Sequence, residues 1–203
     1  MSQYQVINAV DRTLRHVLWS TMQNDTTITR ILPDEQRISF EPPFRLVRDA
    51  EPEQNALSFY LYRIVENPDM KNRPLELVDP QRLRYPPLSL NLFYLVTPVT
   101  NNAENDHLVL GKTMQILHDH AIIREPELQD ILADPADTTE ELRVIFNSIS
   151  LEDTNKLWSA FMRPYRLAVS YEVKVIYIDS ERETGGERVR RKRLEMLPKT
   201  ELS

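Results

Sequence analysis

The chain has 203 residues, a net charge of −6 and no cysteine. This length suits one domain with a substantial core, the missing cysteines exclude disulfides and thiolate metal sites, and the acidic balance argues against a nucleic-acid binder. With only three glycines, a phosphate-cradling loop of the P-loop or Rossmann kind is not expected. The N-terminal segment is too charged for a signal peptide, and no apolar run is long enough for a transmembrane helix.

The chain begins with a predicted amphipathic helix over residues 4–19. Ser2 and Gln5 resemble a capping box at its start. Apolar residues recur at helical spacing along one face: Val6, Val10, Leu14, Val17 and Leu18. Further on, Ile38 and Phe40 predict a short strand that ends before two consecutive prolines.

Residues 57–65 alternate in the way that a strand requires. One face is predicted to carry Leu57, Phe59, Leu61 and Val65, and the other Ser58, Tyr60, Tyr62 and Ile64. Since both faces hold large apolar groups, either the fold covers both, or a neighbouring subunit covers one of them. The charged, proline-rich residues 66–87 are predicted to form a long loop, which in a compact domain is more often functional than idle.

A strand over residues 88–97 follows, then a helix over 106–119 with Leu110, Met114 and Leu117 inward. A short strand is predicted over residues 141–147.

Ser150 and Asp153 form a second capping-box pattern. It opens a helix with Leu151, Trp158 and Phe161 on one face, which Pro164 ends. The clearest strand spans residues 167–177, and Gly185-Gly186 predict a flexible turn after it. This order indicates an α+β domain over residues 1–180, a mostly antiparallel sheet covered by helices, with a C-terminal arm over residues 181–203.

Three histidines form a candidate metal site: His107, His118 and His120. Zinc needs three or four ligands in a defined geometry, whereas residues two apart on a helix point about 200° from each other. The alternative is a polar helix end whose histidines interact with the helix dipole, and this interpretation is preferred.

Neighbouring carboxylates are candidates for acid–base catalysis: Glu51/Glu53, Glu140/Glu141 and Glu152/Asp153. A catalytic pair needs surroundings that separate the two pKa values, and these pairs fall in loops or first helical turns, which favours a solvated role. Because no G-x-S-x-G pattern is possible with the glycines present, we expect no catalytic residue, no cofactor and no enzymatic activity.

The basic run in the arm is the sharpest charge feature: Arg188, Arg190, Arg191, Lys192 and Arg193. It is either a solvated tail or an arm that binds an acidic partner surface, and a strand-like arm can also add to an open sheet edge of another subunit. Tyrosines on both sheet faces leave a similar choice between core and subunit contact: Tyr60, Tyr62, Tyr94, Tyr171 and Tyr177.

Four segments in a fixed order carry a family resemblance: LYRIVEN followed by NRP at 72–74, PPLSLNLFYLVTP at 86–98, MQILHDH at 114–120, and SLEDTNKLWSAF with PYRLAVSYEV at 150–173. Together they resemble the cap, or tail-terminator, family of contractile injection systems. The resemblance covers roughly residues 4–180. It implies a tail-terminator-like fold and a structural role.

In that family the cap forms a hexameric ring on the tail end distal to the baseplate, where it contacts the inner-tube protein and the sheath protein and stops polymerisation. The resemblance therefore implies a homo-hexamer that is assembled in the cytoplasm as part of a released or membrane-anchored particle. The acidic charge and the lack of a long apolar run add the expectation of no nucleic-acid partner and no direct membrane insertion. Three alternatives stay open: a baseplate or tube-initiation component, a nucleic-acid-binding protein that uses the arm, and a metal-dependent enzyme that uses the histidines.

Overall fold

The structure, a computed structural model, describes residues 4–48, 51–52, 54–71, 73–79, 82–133 and 141–185. The helices in these ranges are α1 Val6–Met22, α2 Thr26–Ile31, α3 Ala103–Asp119 and α4 Leu151–Phe161. The strands are β1 Ile38–Ser39, β2 Val47–Arg48, β3 Glu51–Pro52, β4 Ala56–Glu66, β5 Glu76–Asp79, β6 Arg82–Arg84, β7 Leu88–Val99, β8 Ile122–Ile123, β9 Leu142–Asn147, β10 Val169–Ile178 and β11 Glu183–Gly185.

A six-stranded central sheet carries the fold, in the order β1-β4-β7-β10-β9-β8. All its pairs are antiparallel except the short β1–β4 pair. Strands β11, β6 and β5 form a separate three-stranded sheet, and β2 pairs with β3. The predicted α+β class with a mostly antiparallel sheet is therefore confirmed.

Helices α1 and α3 cover one side of the central sheet, called here the helix face. The predicted apolar stripe of α1 is buried throughout, and it packs with residues of β7 and β10 such as Leu92, Tyr94 and Val173. Burial of such large apolar side chains stabilises the fold by roughly 1.5–3 kcal/mol each. In α3, Leu110 and Leu117 are buried as predicted, and Met114 packs against the same core.

Helix α4 covers part of the opposite side, called here the α4 face. Its start is the predicted one, because Ser150 Oγ accepts a hydrogen bond from the Asp153 amide at 3.0 Å. Trp158 is buried and Phe161 lies beside it. Leu151 shares the helix face of Trp158, seven residues later, but is exposed at the first position of the helix.

A β-bulge in β4 changes which face the later residues occupy. Leu61 lies opposite Tyr94, but the next pair is Arg63 opposite Phe93, followed by Ile64 opposite Leu92. One extra residue reverses the alternation beyond it. Ile64 therefore lies on the helix face and Val65 on the α4 face, the reverse of the prediction from strict alternation.

Two further predictions need correction. Residues 66–87 are more than a loop, since they include β5 and β6. Gly185 belongs to β11, which pairs with β6, so it is a strand residue rather than part of a flexible turn. At the first helix, Gln5 occupies the N-cap position without a side-chain hydrogen bond, and Ser2 lies outside the described residues.

Candidate assembly surfaces

The three-stranded sheet, β5 with β6 and β11, is the first surface with the character of a contact. Arg82 lies 3.3 Å from Glu183, an ion pair that links β6 to β11. Apolar side chains of the small sheet are nevertheless exposed to solvent, and Leu77 is 64% exposed. A small sheet without a covered apolar face is marginally stable alone, and clustered exposed apolar groups are typical of contact surfaces.

This small sheet is attached to the ends of β7 and β10 by local contacts. The Tyr85 amide donates to the carbonyl of Arg182 at 3.1 Å, and the Arg182 guanidinium lies 4.3 Å from the Tyr85 ring centroid. Arg73 likewise lies 5.5 Å from the ring of Tyr177. Tyr85 and Arg182 lie in the segments that lead from β6 to β7 and from β10 to β11, and only the Arg73 contact reaches a residue of the central sheet.

The loop that joins α4 to β10 is a second exposed apolar surface. Met162 ends α4 in the left-handed conformation, with φ 53°, and 89% of its surface is exposed. Tyr165 and Leu167 on the same loop are also exposed. Flexible methionines adapt well to partner surfaces, so this loop has the composition of a contact.

Aromatic rings hold α4 against the sheet beneath this loop. Phe161 lies 5.3 Å from Phe44 and 5.9 Å from Tyr60, while Trp158 lies 5.7 Å from Phe161 and 6.1 Å from Tyr165. Such ring pairs add about 0.5–1.5 kcal/mol each beyond the area that they bury. The exposed loop therefore starts from a rigid base.

A groove of about 470 Å³ runs between α4 and the sheet. In its wall the Tyr62 hydroxyl lies 3.1 Å from Ser170 Oγ, and Asn147 Nδ2 donates to Ser170 Oγ at 3.0 Å. These partners offer Ser170 no general base such as histidine or a carboxylate, so the arrangement orders the wall and does not activate a nucleophile.

The three histidines are not brought together by the structure. His107 lies near the start of α3 and His118 near its end, about 16 Å apart along the axis at 1.5 Å per residue. His120 Nδ1 lies 3.0 Å from the carbonyl of Ile116, and its Nε2 lies 3.4 Å from Glu127. Across the described ranges, no group of three or more potential ligands is arranged to hold a metal ion.

The carboxylates have separate surroundings. Glu141 lies between Arg124 and Arg143, each 2.6 Å away, and the hydrogen bonds from these two guanidinium groups lower the pKa of the Glu141 carboxyl. Glu152 and Asp153 are exposed beside Lys156. The Glu51 side chain, Glu53 and Glu140 lie outside the described residues, as do all five basic arm residues: Arg188, Arg190, Arg191, Lys192 and Arg193.

Of the five tyrosines, two belong to the core, since Tyr94 and Tyr171 are buried on the helix face. Tyr60 packs with Phe161, and Tyr62 belongs to the groove wall. Tyr177 is partly exposed beneath Arg73. These positions place most of the aromatic residues in the fold's own packing.

Sequence reasoning missed the ionisable pair between α1 and β7, in which Tyr94 is buried and Asp11 is half-buried. The Tyr94 hydroxyl donates to Asp11 Oδ1 at 2.7 Å. Burial raises the pKa of Asp11 to about 6, partly offset by the Tyr94 hydrogen bond and by Arg15. The sequence does contain a sign of this pair, namely a carboxylate on the apolar side of the helix. Asp11 lies three residues before Leu14 and seven before Leu18.

Residues 9–191 match the Pvc16 N-terminal domain family. The chain belongs to this family. Among solved structures it resembles the sheath/tube terminator, in its extended state, of the extracellular contractile injection system PVC, with a TM-score of 0.58 and 16% identity over 100% of this chain and 66% of that chain. The terminator family predicted from the sequence is therefore confirmed.

A second similar structure is the tube-terminating cap of the anti-feeding prophage, with a TM-score of 0.45 and 17% identity over 75% of this chain and 54% of that chain. The chain thus spans just under two thirds of the first structure's length and about half of the second's. No curated protein sequence matches the chain significantly. Within the described residues, the helices are too short or too polar to cross a membrane.

Proposed function

We propose that this protein is the structural cap of a contractile injection system, which closes the distal end of the inner tube and sheath and terminates tail polymerisation. Membership of the Pvc16 N-terminal domain family across residues 9–191 is the observation that carries the proposal. A fold shared with a sheath/tube terminator over the whole chain supports it.

The cap acts as a homo-hexameric ring without enzymatic activity. A ring of head-to-tail contacts closes when the rotation between copies allows it. One side of the ring binds the last layer of tube protein and the surrounding sheath protein, and the other side offers no surface on which the polymer grows. Assembly takes place in the cytoplasm, and the cap becomes part of the particle without entering a membrane or binding nucleic acid.

Two exposed apolar surfaces suit contacts with tube, sheath or neighbouring caps. They are the small sheet with Leu77 and the loop with Met162. We assign the basic residues of the arm, from Arg188 to Arg193, to an acidic partner surface, because clustered cations in an otherwise acidic chain favour such pairing.

Deletion of the gene in a producer strain, followed by negative-stain microscopy, tests the proposal. Tubes or sheaths of variable length, or sheath lost from the distal end, are expected. Particles of normal length with an intact distal end would contradict the terminator role. Immunogold labelling then locates the protein, and label at the baseplate end would assign it to a baseplate or initiation component instead.

Complementation of the deletion strain tests the individual surfaces. Leu77→Glu and the triple variant Arg190→Glu, Arg191→Glu and Lys192→Glu are expected to restore length control poorly. The matched controls are Leu108→Glu, an exposed apolar residue on α3, and Lys199→Glu in the same arm. Equal rescue by the test and control variants would remove the surface concerned from the proposal.

A further inference from the structure

The central sheet has an open stretch at each of its two edges. Strand β1 pairs only with Leu57 and Ser58 of β4, and β8 pairs only with Leu142 and Arg143 of β9. In the described part of the chain, no strand pairs with the outer side of residues 60–66 or of residues 145–147. Unpaired edges present rows of N–H and C=O groups that readily accept another strand.

The backbone groups of Phe146 point out of the sheet at the β9 edge. The Val144 amide donates to the carbonyl of Ala121 at 2.9 Å, on the side away from β10. Backbone groups two residues apart on a strand point the same way. The N–H and C=O of Phe146 therefore face outward, beyond the end of β8.

The alternation of backbone hydrogen bonds across the sheet also gives the direction of the N–H and C=O groups of Ile64, at the opposite edge. Val144 lies opposite Val173, Val173 opposite Leu92, and Leu92 opposite Ile64. In antiparallel pairing, a residue that does not bond to one neighbouring strand bonds to the other. Val173 thus bonds to Leu92, Leu92 does not bond to Ile64, and the backbone groups of Ile64 also point outward.

The side chains of these two residues lie on the same face. Ile64 is opposite the fully buried Leu92, and Phe146 is opposite the buried Tyr171, so both lie on the helix face. Yet Ile64 is 47% exposed and Phe146 is 50% exposed. Each is an apolar residue of the core face that stays about half exposed at an edge of the sheet.

We propose that β4 of one copy pairs antiparallel with β9 of the next copy, with Ile64 opposite Phe146, so that the sheet continues from subunit to subunit. This inference rests on the ring of the proposed function. Strands β4, β7, β10 and β9 alternate in direction, so β9 runs antiparallel to β4. A copy rotated about an axis along the strands presents β9 to β4 in the direction that continues the alternation.

The side chains on the α4 face fit the same register. It places Val65 opposite the exposed Ile145 of the next copy and Arg63 opposite Asn147. Among the described residues, Arg63 has no carboxylate partner and its guanidinium lies 5.3 Å from the Phe93 ring.

Cysteine cross-linking tests this contact cleanly, because the natural chain has no cysteine. Residues in a hydrogen-bonded antiparallel pair lie about 5.5 Å apart at Cα, within the range that a disulfide spans. A strain whose only copy carries Ile64→Cys and Phe146→Cys is used to prepare particles, which are oxidised and separated on a non-reducing gel. A ladder of cap species up to six chains, removed by reductant, is expected.

Single variants separate this contact from its alternatives. Purified Ile64→Cys protein alone, or Phe146→Cys protein alone, is expected to remain unlinked, whereas a mixture of the two gives linked chains. A dimer from Ile64→Cys alone would overturn the proposal in favour of a two-fold β4–β4 contact. The control pair Leu108→Cys and Leu151→Cys, exposed residues on α3 and α4, is expected to give no ladder.

The failure of this inference is distinguishable from that of the cap function. Particles that retain the double variant and normal length but give no ladder would overturn the strand pairing and leave the cap in place. If a strand of tube or sheath protein occupies the β4 edge in place of a second copy, Ile64→Cys is expected to cross-link to a cysteine of that protein. This result would overturn the pairing of two copies. Particles from the natural strain that lack the natural chain altogether would contradict the proposed function itself.

Discussion

Tyr94 in the middle of the central sheet donates its hydroxyl hydrogen to Asp11 on α1, over 2.7 Å. Burial raises the pKa of Asp11 to about 6, and burial, followed by the Asp11 charge, raises the pKa of Tyr94 well above its ordinary value. The first helix and the sheet are thus joined through a carboxyl group that titrates near neutral pH.

Stability is expected to depend on the ionisation of Asp11. The raised pKa means that the folded state favours the protonated carboxyl, so its stabilising contribution is present below the unfolded pKa near 4 and is lost as pH rises through about 6. The free energy of unfolding of the natural chain relative to Asp11→Asn should therefore fall by on the order of 1–3 kcal/mol between pH 4 and pH 7. Urea unfolding at several pH values measures it.

The comparison with Asp11→Asn matters because other carboxylates change stability in the opposite direction. The pKa values of Asp25 and Glu141 are lowered, by hydrogen bonds from the Ile28 amide and from Arg143 respectively. These two carboxylates favour the folded state at higher pH in the natural chain and in Asp11→Asn alike. Subtracting the unfolding free energies of the two proteins therefore cancels their contribution. A difference that stays constant from pH 4 to pH 7 would contradict the assignment to Asp11.

Removing the Tyr94 hydroxyl tests the other half of the pair. Tyr94→Phe leaves Asp11 without its donor and should lower the free energy of unfolding by about 1–3 kcal/mol. The loss is expected to be larger at pH 7.5 than at pH 4.5, since an ionised carboxylate depends more on a donor than a protonated one does. Tyr171→Phe, with no hydrogen bond of its hydroxyl described, is the control, and an equal loss in both variants would count against the idea.

Met162 ends α4 with a positive φ at a position where helices usually carry glycine. Because its side chain is almost fully exposed, Met162→Gly removes backbone strain without removing packing. The variant is expected to gain on the order of 1 kcal/mol in the free energy of unfolding, because the strain of a left-handed non-glycine residue exceeds the entropic cost of glycine. Arg163→Gly, at the next position and without a positive φ, should instead lose stability, and chemical denaturation of both variants separates the two cases.

Trp158 holds α4 to the sheet, yet its indole nitrogen has no hydrogen-bond partner in the described structure. Trp158→Ala should cost about 3–5 kcal/mol, as expected for a large buried aromatic residue. Trp158→Phe keeps most of the ring contacts and removes the unsatisfied donor, so its cost should be under half of that. Urea midpoints for the two variants provide the comparison, and a Phe variant as unstable as the Ala variant would contradict the idea that the ring contacts dominate the contribution of Trp158.

The sequence predicts the regular parts of this fold well. Long apolar alternation identifies β7 and β10, and helical spacing identifies the buried face of α1, because burial on one side imposes those periods. The small strands are different. Strands β1 and β8 have two residues each, and β6 pairs with a segment about a hundred residues away, so local pattern holds little information about them.

The candidate surfaces were harder to predict, and the reason lies in single residues. The bulge at Leu61 and Arg63 exchanges the faces of Ile64 and Val65, and no local pattern marks that extra residue. The resemblance identified the family. It does not predict that Leu77 and Met162 are exposed, because exposure depends on tertiary packing. The division between the domain and the arm at residue 180 stays a prediction.

The pairing of β11 with β6 limits how far from the small sheet the basic residues that follow β11 can reach. Gly185 is held opposite Arg82, and a fully extended chain advances at most about 3.6 Å per residue. Lys192 and Arg193 are seven and eight residues further along, so the Cα of Arg193 stays within about 29 Å of Gly185. An acidic surface that meets Arg193 must therefore lie within that distance of Gly185 plus the length of one arginine side chain.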